Sequence, residues 1–152
     1  MTQLVNQFAQ TVEKGMLDLK FDPNVLACRA NATIIAGQAV KLVDVAGGIP
    51  DVDVAGDTDE VFGYAVLNMK QASYASGQVL EVALSGSVMY MISGAAFAPG
   101  IELMHVLATG KVITAAGTTK YISARAIDKA SAADVLVRTY ITAFQTLKQP
   151  AA

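Results

Sequence analysis

Apolar and polar positions along this chain fall into short runs cut off by glycine, proline or serine, and the clearest series lies in residues 76–117. Val79-Leu80-Glu81-Val82-Ala83-Leu84, Ser87-Val88-Met89-Tyr90-Met91-Ile92 and Ile101-Glu102-Leu103-Met104-His105-Val106-Leu107 follow one another. Ser85-Gly86, Gly94, Pro99-Gly100 and Thr109-Gly110 punctuate them. Such β-branched and aromatic runs between turn residues predict strands, here read as a β-meander. Residues 82–101 carry no charge and are long enough to cross a bilayer as a helix. Gly86, Gly94, Pro99 and Gly100 break that helix, and no Lys/Arg cluster flanks it, so sheet buried on most of both faces is the expectation.

Upstream, Leu4, Val5, Phe8 and Val12 recur at spacings of three and four and predict a short helix over residues 2–14, stopped by Gly15. Leu17, Leu19 and Phe21 then alternate with Asp18, Lys20 and Asp22, the period of an amphipathic strand. Residues 1–21 therefore read as an N-terminal arm ahead of a single β domain over residues 22–152. These seven apolar residues are the candidate partner interface if the arm docks on a neighbouring molecule. Packing on their own domain is the other use.

A repeat runs through the rest. Ala36-Gly37-Gln38-Ala39-Val40 returns as Ser76-Gly77-Gln78-Val79-Leu80, partly as Pro99-Gly100-Ile101-Glu102-Leu103, and faintly as Ala132-Ala133-Asp134-Val135-Leu136. Gly63-Tyr64-Ala65-Val66 precedes one copy as Ser123-Ala124-Arg125-Ala126 precedes another. Glycine at each junction supplies a turn barred to bulkier residues, and repeated strand–turn units in a short chain point to a barrel or sandwich.

Composition narrows the function. In 152 residues, 53% are hydrophobic and 16% charged, enough apolar surface for one real core and some to spare for a subunit interface. A net charge of -2 without any Lys/Arg run argues against nucleic-acid or polybasic membrane binding. One cysteine, Cys28, permits no internal disulfide, and no Cys/His cluster suggests zinc. The first residues do not read as a signal peptide, so synthesis in a cytoplasm-like compartment is expected.

The one charge cluster is acidic. Asp51-Val52-Asp53-Val54-Ala55-Gly56-Asp57-Thr58-Asp59 imitates a calcium loop, but Ala55 and Phe62 stand where two ligands belong, so residues 51–60 read as a solvated surface loop. His105 lies in an apolar run without a nucleophile motif beside it, and Cys28 reads as a buried strand cysteine despite Arg29. Met69, Met89, Met91 and Met104 read as core filling. No acid, base and nucleophile assemble, so neither an enzyme nor a cofactor is expected.

The order Ala36-Gly37-Gln38, Gly63-Tyr64-Ala65-Val66, Ser76-Gly77-Gln78-Val79-Leu80-Glu81-Val82, the strand between Gly86 and Gly94, and an Ala-rich closing unit resembles the small decoration, or cement, proteins of tailed-phage heads over residues 30–141. That resemblance implies a mainly β fold, a compact β-barrel or β-tulip-like sandwich of short strands with an N-terminal arm. It also implies a homotrimer on the outer surface of the virion, made in the host cytoplasm, clamping neighbouring major capsid proteins, with no active site. The insertion at residues 49–60 departs from the family pattern. The alternative is a ligand-binding β module whose acidic loop, Asp51 to Glu60, takes calcium or a sugar, though few aromatic residues weaken a sugar platform.

Overall fold

The structure, a computed structural model, describes residues 12–44, 48–68, 71–116 and 121–143. The fold is mainly β. Its strands, in chain order, are β1 (Val25–Ala30), β2 (Ile34–Ile35), β3 (Ala39–Asp44), β4 (Asp51–Val54), β5 (Gly63–Ala65), β6 (Ser73–Tyr74), β7 (Val79–Ala83), β8 (Val88–Ile92), β9 (Glu102–Val106), β10 (Lys111–Thr114), β11 (Ala124–Ala126) and β12 (Leu136–Ile141). A closed barrel has the order β1-β4-β3-β5-β7, a five-stranded sheet has the order β10-β9-β11-β12-β8, and β2 pairs with β6.

These two large sheets are copies of one another. Placing β8 on β1, β9 on β3, β10 on β4, β11 on β5 and β12 on β7 matches them strand for strand and residue for residue. Val25↔Ala83 corresponds to Val88↔Tyr140, Val40↔Gly63 to Leu103↔Ala124, Leu42↔Val52 to His105↔Val112, and Tyr64↔Ala83 to Arg125↔Tyr140. The parallel contact Ala30↔Val52 that closes the barrel has its counterpart in Ser93↔Val112, and Ile34↔Tyr74 has its counterpart in Phe97↔Ala130.

One local device recurs in both halves and accounts for the sequence repeat. A residue with positive φ donates its N–H to the carbonyl of a buried small residue, whose own N–H donates to the carbonyl of the next residue in the turn. Gly37 and Gln38 do this with Ala65 (2.7 and 2.9 Å), Gly77 and Gln78 with Ala30 (2.7 and 2.8 Å), Gly100 and Ile101 with Ala126 (2.7 and 3.0 Å), and Asp134 and Val135 with Ser93 (2.8 and 2.9 Å). In the two Gly-Gln copies the glutamine also closes its turn. Gln38 Oε1 accepts from Ile35 N–H at 2.8 Å and Gln78 Oε1 from Ala75 N–H at 2.7 Å. The faint fourth copy keeps the geometry with an aspartate, a residue type that tolerates left-handed backbone, at φ 64°.

The interiors follow from strand parity. Cys28, Ala30, Ile34, Val40, Val52, Ala65, Tyr74, Leu80 and Val82 fill the first half. Met91, Phe97, Leu103, Val112, Ala126, Ala130 and Val137 fill the same positions in the second, in a cluster that also takes Ala39, Tyr64 and Ala83 from the first half's outer face. At this junction the buried Tyr64 hydroxyl meets Ser123 Oγ at 2.6 Å.

The structure corrects the expected β-meander. Of the four strands in that stretch, β7 to β10, only β9 and β10 pair with each other as a hairpin, while β7 joins the barrel and β8 the second sheet. Turn residues mark where strands begin but not which strands pair. Leu84 N–H is bound by Asn24 O and Ile141 N–H by Ser87 O, so the turn at Ser85-Gly86 carries the chain between sheets. The uncharged residues 82–101 pass from one core into the other. No helix among the described residues is long and apolar enough to cross a membrane.

Two glycines separate conformational from steric need. Gly77 has φ +90° and open space where a Cβ would stand, whereas a Cβ on Gly63 would lie 2.5 Å from Ala83 O and 2.6 Å from Val82 Cγ1. Gly77→Ala is expected to cost about 1–2 kcal/mol, the left-handed penalty alone. Gly63→Ala must push β5 off β7 and is expected to cost more, shown by a larger drop in the urea midpoint.

Candidate interaction surface

Leu4, Val5 and Phe8, with most of the expected helix, lie outside the described residues. The rest of the N-terminal segment is placed. Residues 15–18 run antiparallel along the half of β8 that β10 leaves free. Gly15 N–H donates to Tyr90 O (2.8 Å), Tyr90 N–H to Met16 O (2.9 Å) and Asp18 N–H to Val88 O (2.9 Å), with Leu17 opposite Met89. Leu17 packs on the second core.

Beyond Leu17 the expected alternation fails. Asp18 is 8% exposed while Leu19 is 73% exposed and Phe21 42%. The cause is local: Phe21 N–H bonds Asp18 O at 3.1 Å and Lys20 N–H bonds Asp18 Oδ1 at 3.2 Å, so the chain turns instead of extending. Asp18 Oδ2 then reaches Arg138 Nη1 at 3.4 Å, and Arg138 holds Asp128 through two 2.9 Å side-chain bonds. Val12, Leu19 and Phe21 stay at the surface and Leu17 turns inward.

The acidic window is structure rather than a plain surface loop. Asp51–Val54 is β4, the strand that closes the first barrel between β1 and β3, with Val52 fully buried. Ala55 and Phe62, the residues standing where calcium ligands belong, are core residues. The carboxylates diverge: Asp51 pairs with Arg29 (3.4 Å), Asp53 accepts from Val54 N–H (2.7 Å), Asp57 from Leu107 N–H (2.8 Å), and Asp59 from Lys41 (2.9 Å) and Gly56 N–H (2.8 Å). Among the described residues no three His, Cys, Asp or Glu side chains come together as a metal site would require.

Other singled-out residues have structural placements. His105, buried on β9, meets Gly56 O at 3.1 Å through Nε2 and ties the acidic segment to the second half. Cys28 is fully buried on β1, and burial pushes its thiol up to about 11. The hydrocarbon stem of Lys14 lies against Gly37, and burial, then the nearby charge of Lys111, holds its ammonium below the ordinary lysine range.

One feature had no sequence signal. Val25, Leu26 and Ala27 read as an ordinary apolar strand, yet Val25 and Leu26 are each 38% exposed and Ala27 is exposed too. Beside them Ala27, Val66, Leu67, Tyr74, Val79 and Glu81 line an open groove of about 300 Å³.

No protein-family model matches the chain, and no curated protein does. Among solved structures the described architecture defines an all-β class that includes a known example. The chain is similar to the head fiber gp8.5 N base of bacteriophage phi29, with 16% identity and a TM-score of 0.55 over 79% of this chain and 94% of that one. At that identity the likeness is one of fold.

Two measurements check the electrostatics. Cys28 is expected to resist a thiol reagent at neutral pH until the protein unfolds, because the reactive thiolate is scarce and covered. Hydrogen bonds from Arg138 and from Lys41 hold the Asp128 and Asp59 carboxyls below the usual range. A depressed folded pKa stabilises above the unfolded value of about 4 and loses that contribution as pH falls through the folded value. Stability should therefore drop below about pH 4, and Asp128→Asn should flatten part of that drop in urea titrations at stepped pH.

Proposed function

We propose that this protein is a structural component of a tailed-phage head, and that it sits on the outer surface of the capsid as a homotrimer clamping neighbouring major capsid proteins. The observation that carries this reading is the fold shared with a head fiber base. The order of glycine-punctuated strands, which resembles the head decoration proteins, points the same way. A cement subunit needs no reaction chemistry, and Asp57, Asp59, His105 and Cys28 all serve structure here.

Binding to a shell that already exists favours many modest contacts multiplied by avidity over one deep pocket. Exposed Val12, Leu19 and Phe21, together with Leu4, Val5 and Phe8 ahead of them, supply apolar contact on one segment. Deleting residues 1–14 leaves the 15–18 strand in place. The truncated protein is expected to fold and keep its β-sheet circular dichroism while its affinity for heads falls at least about tenfold.

The test mixes purified protein with undecorated heads and images them, after weighing the free protein by light scattering. A mass three times 15.8 kDa and ordered density on the outer shell are expected. A monomer that leaves heads bare would sink the proposal.

A further inference from the structure

The internal duplication exposes a vacancy that the second half has already filled. In β8 the backbone groups of Val88 and Tyr90 point away from β12 and bind residues 15–18. Their counterparts on β1 are Val25 and Ala27. Asn24 O accepts from Leu84 N–H and Ala30 N–H donates to Gln78 O, at the two ends of β7, so by alternation Val25 and Ala27 point the other way, as Arg29 does when its N–H reaches Pro50 O at 2.8 Å. β4 meets β1 only at Arg29 and Ala30. Among the described residues no strand lies along Val25–Ala27, and Leu26 is 38% exposed where its counterpart Met89 is fully buried beneath the added segment.

The filled copy also shows which side chains an added strand must carry. There Leu17 covers Met89 and Asp18 reaches across β8 to Arg138, which sits opposite Tyr90 on β12. On the first half the residue opposite Ala27 is Glu81, in the place of Arg138, so the charge is reversed. Ala27 is far smaller than Tyr90 and leaves Glu81 open to the 300 Å³ groove. Among the described residues Glu81 makes no ion pair.

We propose that the free half of the β1 edge is a docking site for an extended segment of another protein, added antiparallel, in which an apolar residue covers Leu26 and the following Lys or Arg pairs with Glu81 across Ala27. Backbone bonds to Val25 and Ala27 supply affinity and Glu81 supplies selectivity, the ordinary division of labour in strand addition. An open apolar edge without a lysine or proline on it is otherwise an aggregation hazard. The inference stands on the duplication alone and holds whether or not the protein belongs to a phage head.

The test uses the full chain and two fluorescent peptides with the sequence of residues 13–21, one as it stands and one with Asp18→Arg. Anisotropy titration should show the Asp18→Arg peptide binding at least about tenfold tighter than the unchanged one. Glu81→Arg in the protein should reverse that preference. Ala27→Pro removes an N–H that faces outward and spares the β7 ladder, so it should abolish binding of both peptides with the circular dichroism intact. Hydrogen exchange at Ala27 should slow when the Asp18→Arg peptide is added. No binding of either peptide at millimolar concentration, or binding that survives Ala27→Pro, overturns the docking site; binding indifferent to the charges at Glu81 and in the peptide overturns the basic-residue requirement.

Discussion

Everything else in this molecule hangs on a pair of backbone hydrogen bonds made four times between a left-handed turn residue and a small buried residue. Each pair satisfies polar groups at the end of a strand, where an orphaned N–H or C=O would cost about 1–3 kcal/mol. It also fixes position: Gly37 can reach Ala65 and Gly77 can reach Ala30 only if the two strand–turn units are interlocked. The residues that receive the turns, Ala30, Ala65, Ser93 and Ala126, are nearly or fully buried, and a larger side chain would keep the backbones apart.

The two halves share this device but not their surfaces. On the first half the outer positions Ala39, Tyr64 and Ala83 are apolar or aromatic and pack into the second core. The same positions on the second half are Glu102, Arg125 and Tyr140, with Glu102 and Arg125 ion-paired at 3.3 Å and Tyr140 43% exposed. A repeat that packs its face on the next repeat would continue indefinitely if every face were alike. Charge at Glu102 and Arg125 ends the stack after two units.

Much of this was legible in the chain and some was not. The glycines, the Gly-Gln junctions and the correspondence between Gly63-Tyr64-Ala65 and Ser123-Ala124-Arg125-Ala126 gave strand starts, an all-β fold and the repeat itself, because left-handed turns restrict residue type strongly. Pairing was hidden, because Leu84 and Ser87 look alike whether they close a hairpin or part into two sheets. The acidic residues of β4 drew the eye to metal, while Val52, Ala55 and Phe62, which anchor that segment in the cores, carry an unremarkable apolar signal. Asp18 read as the polar side of a strand, since nothing nearby in sequence announces Arg138.

The crossing of residues 15–18 to β8 also sets an order of events. These residues leave the ribosome before any strand of the first half, yet the edge they complete belongs to β8, which is made only after all of β1 to β7. A chain growing from its N-terminus can close the first barrel early, because β1 to β7 are contiguous. Residues 15–18 have to wait until β8 is made and then tie the first half to the second. Residues 15–18 thus add a late tie to those made by Tyr64 and His105, and a chain cut short before β8 carries β1 to β7 with that segment unpaired.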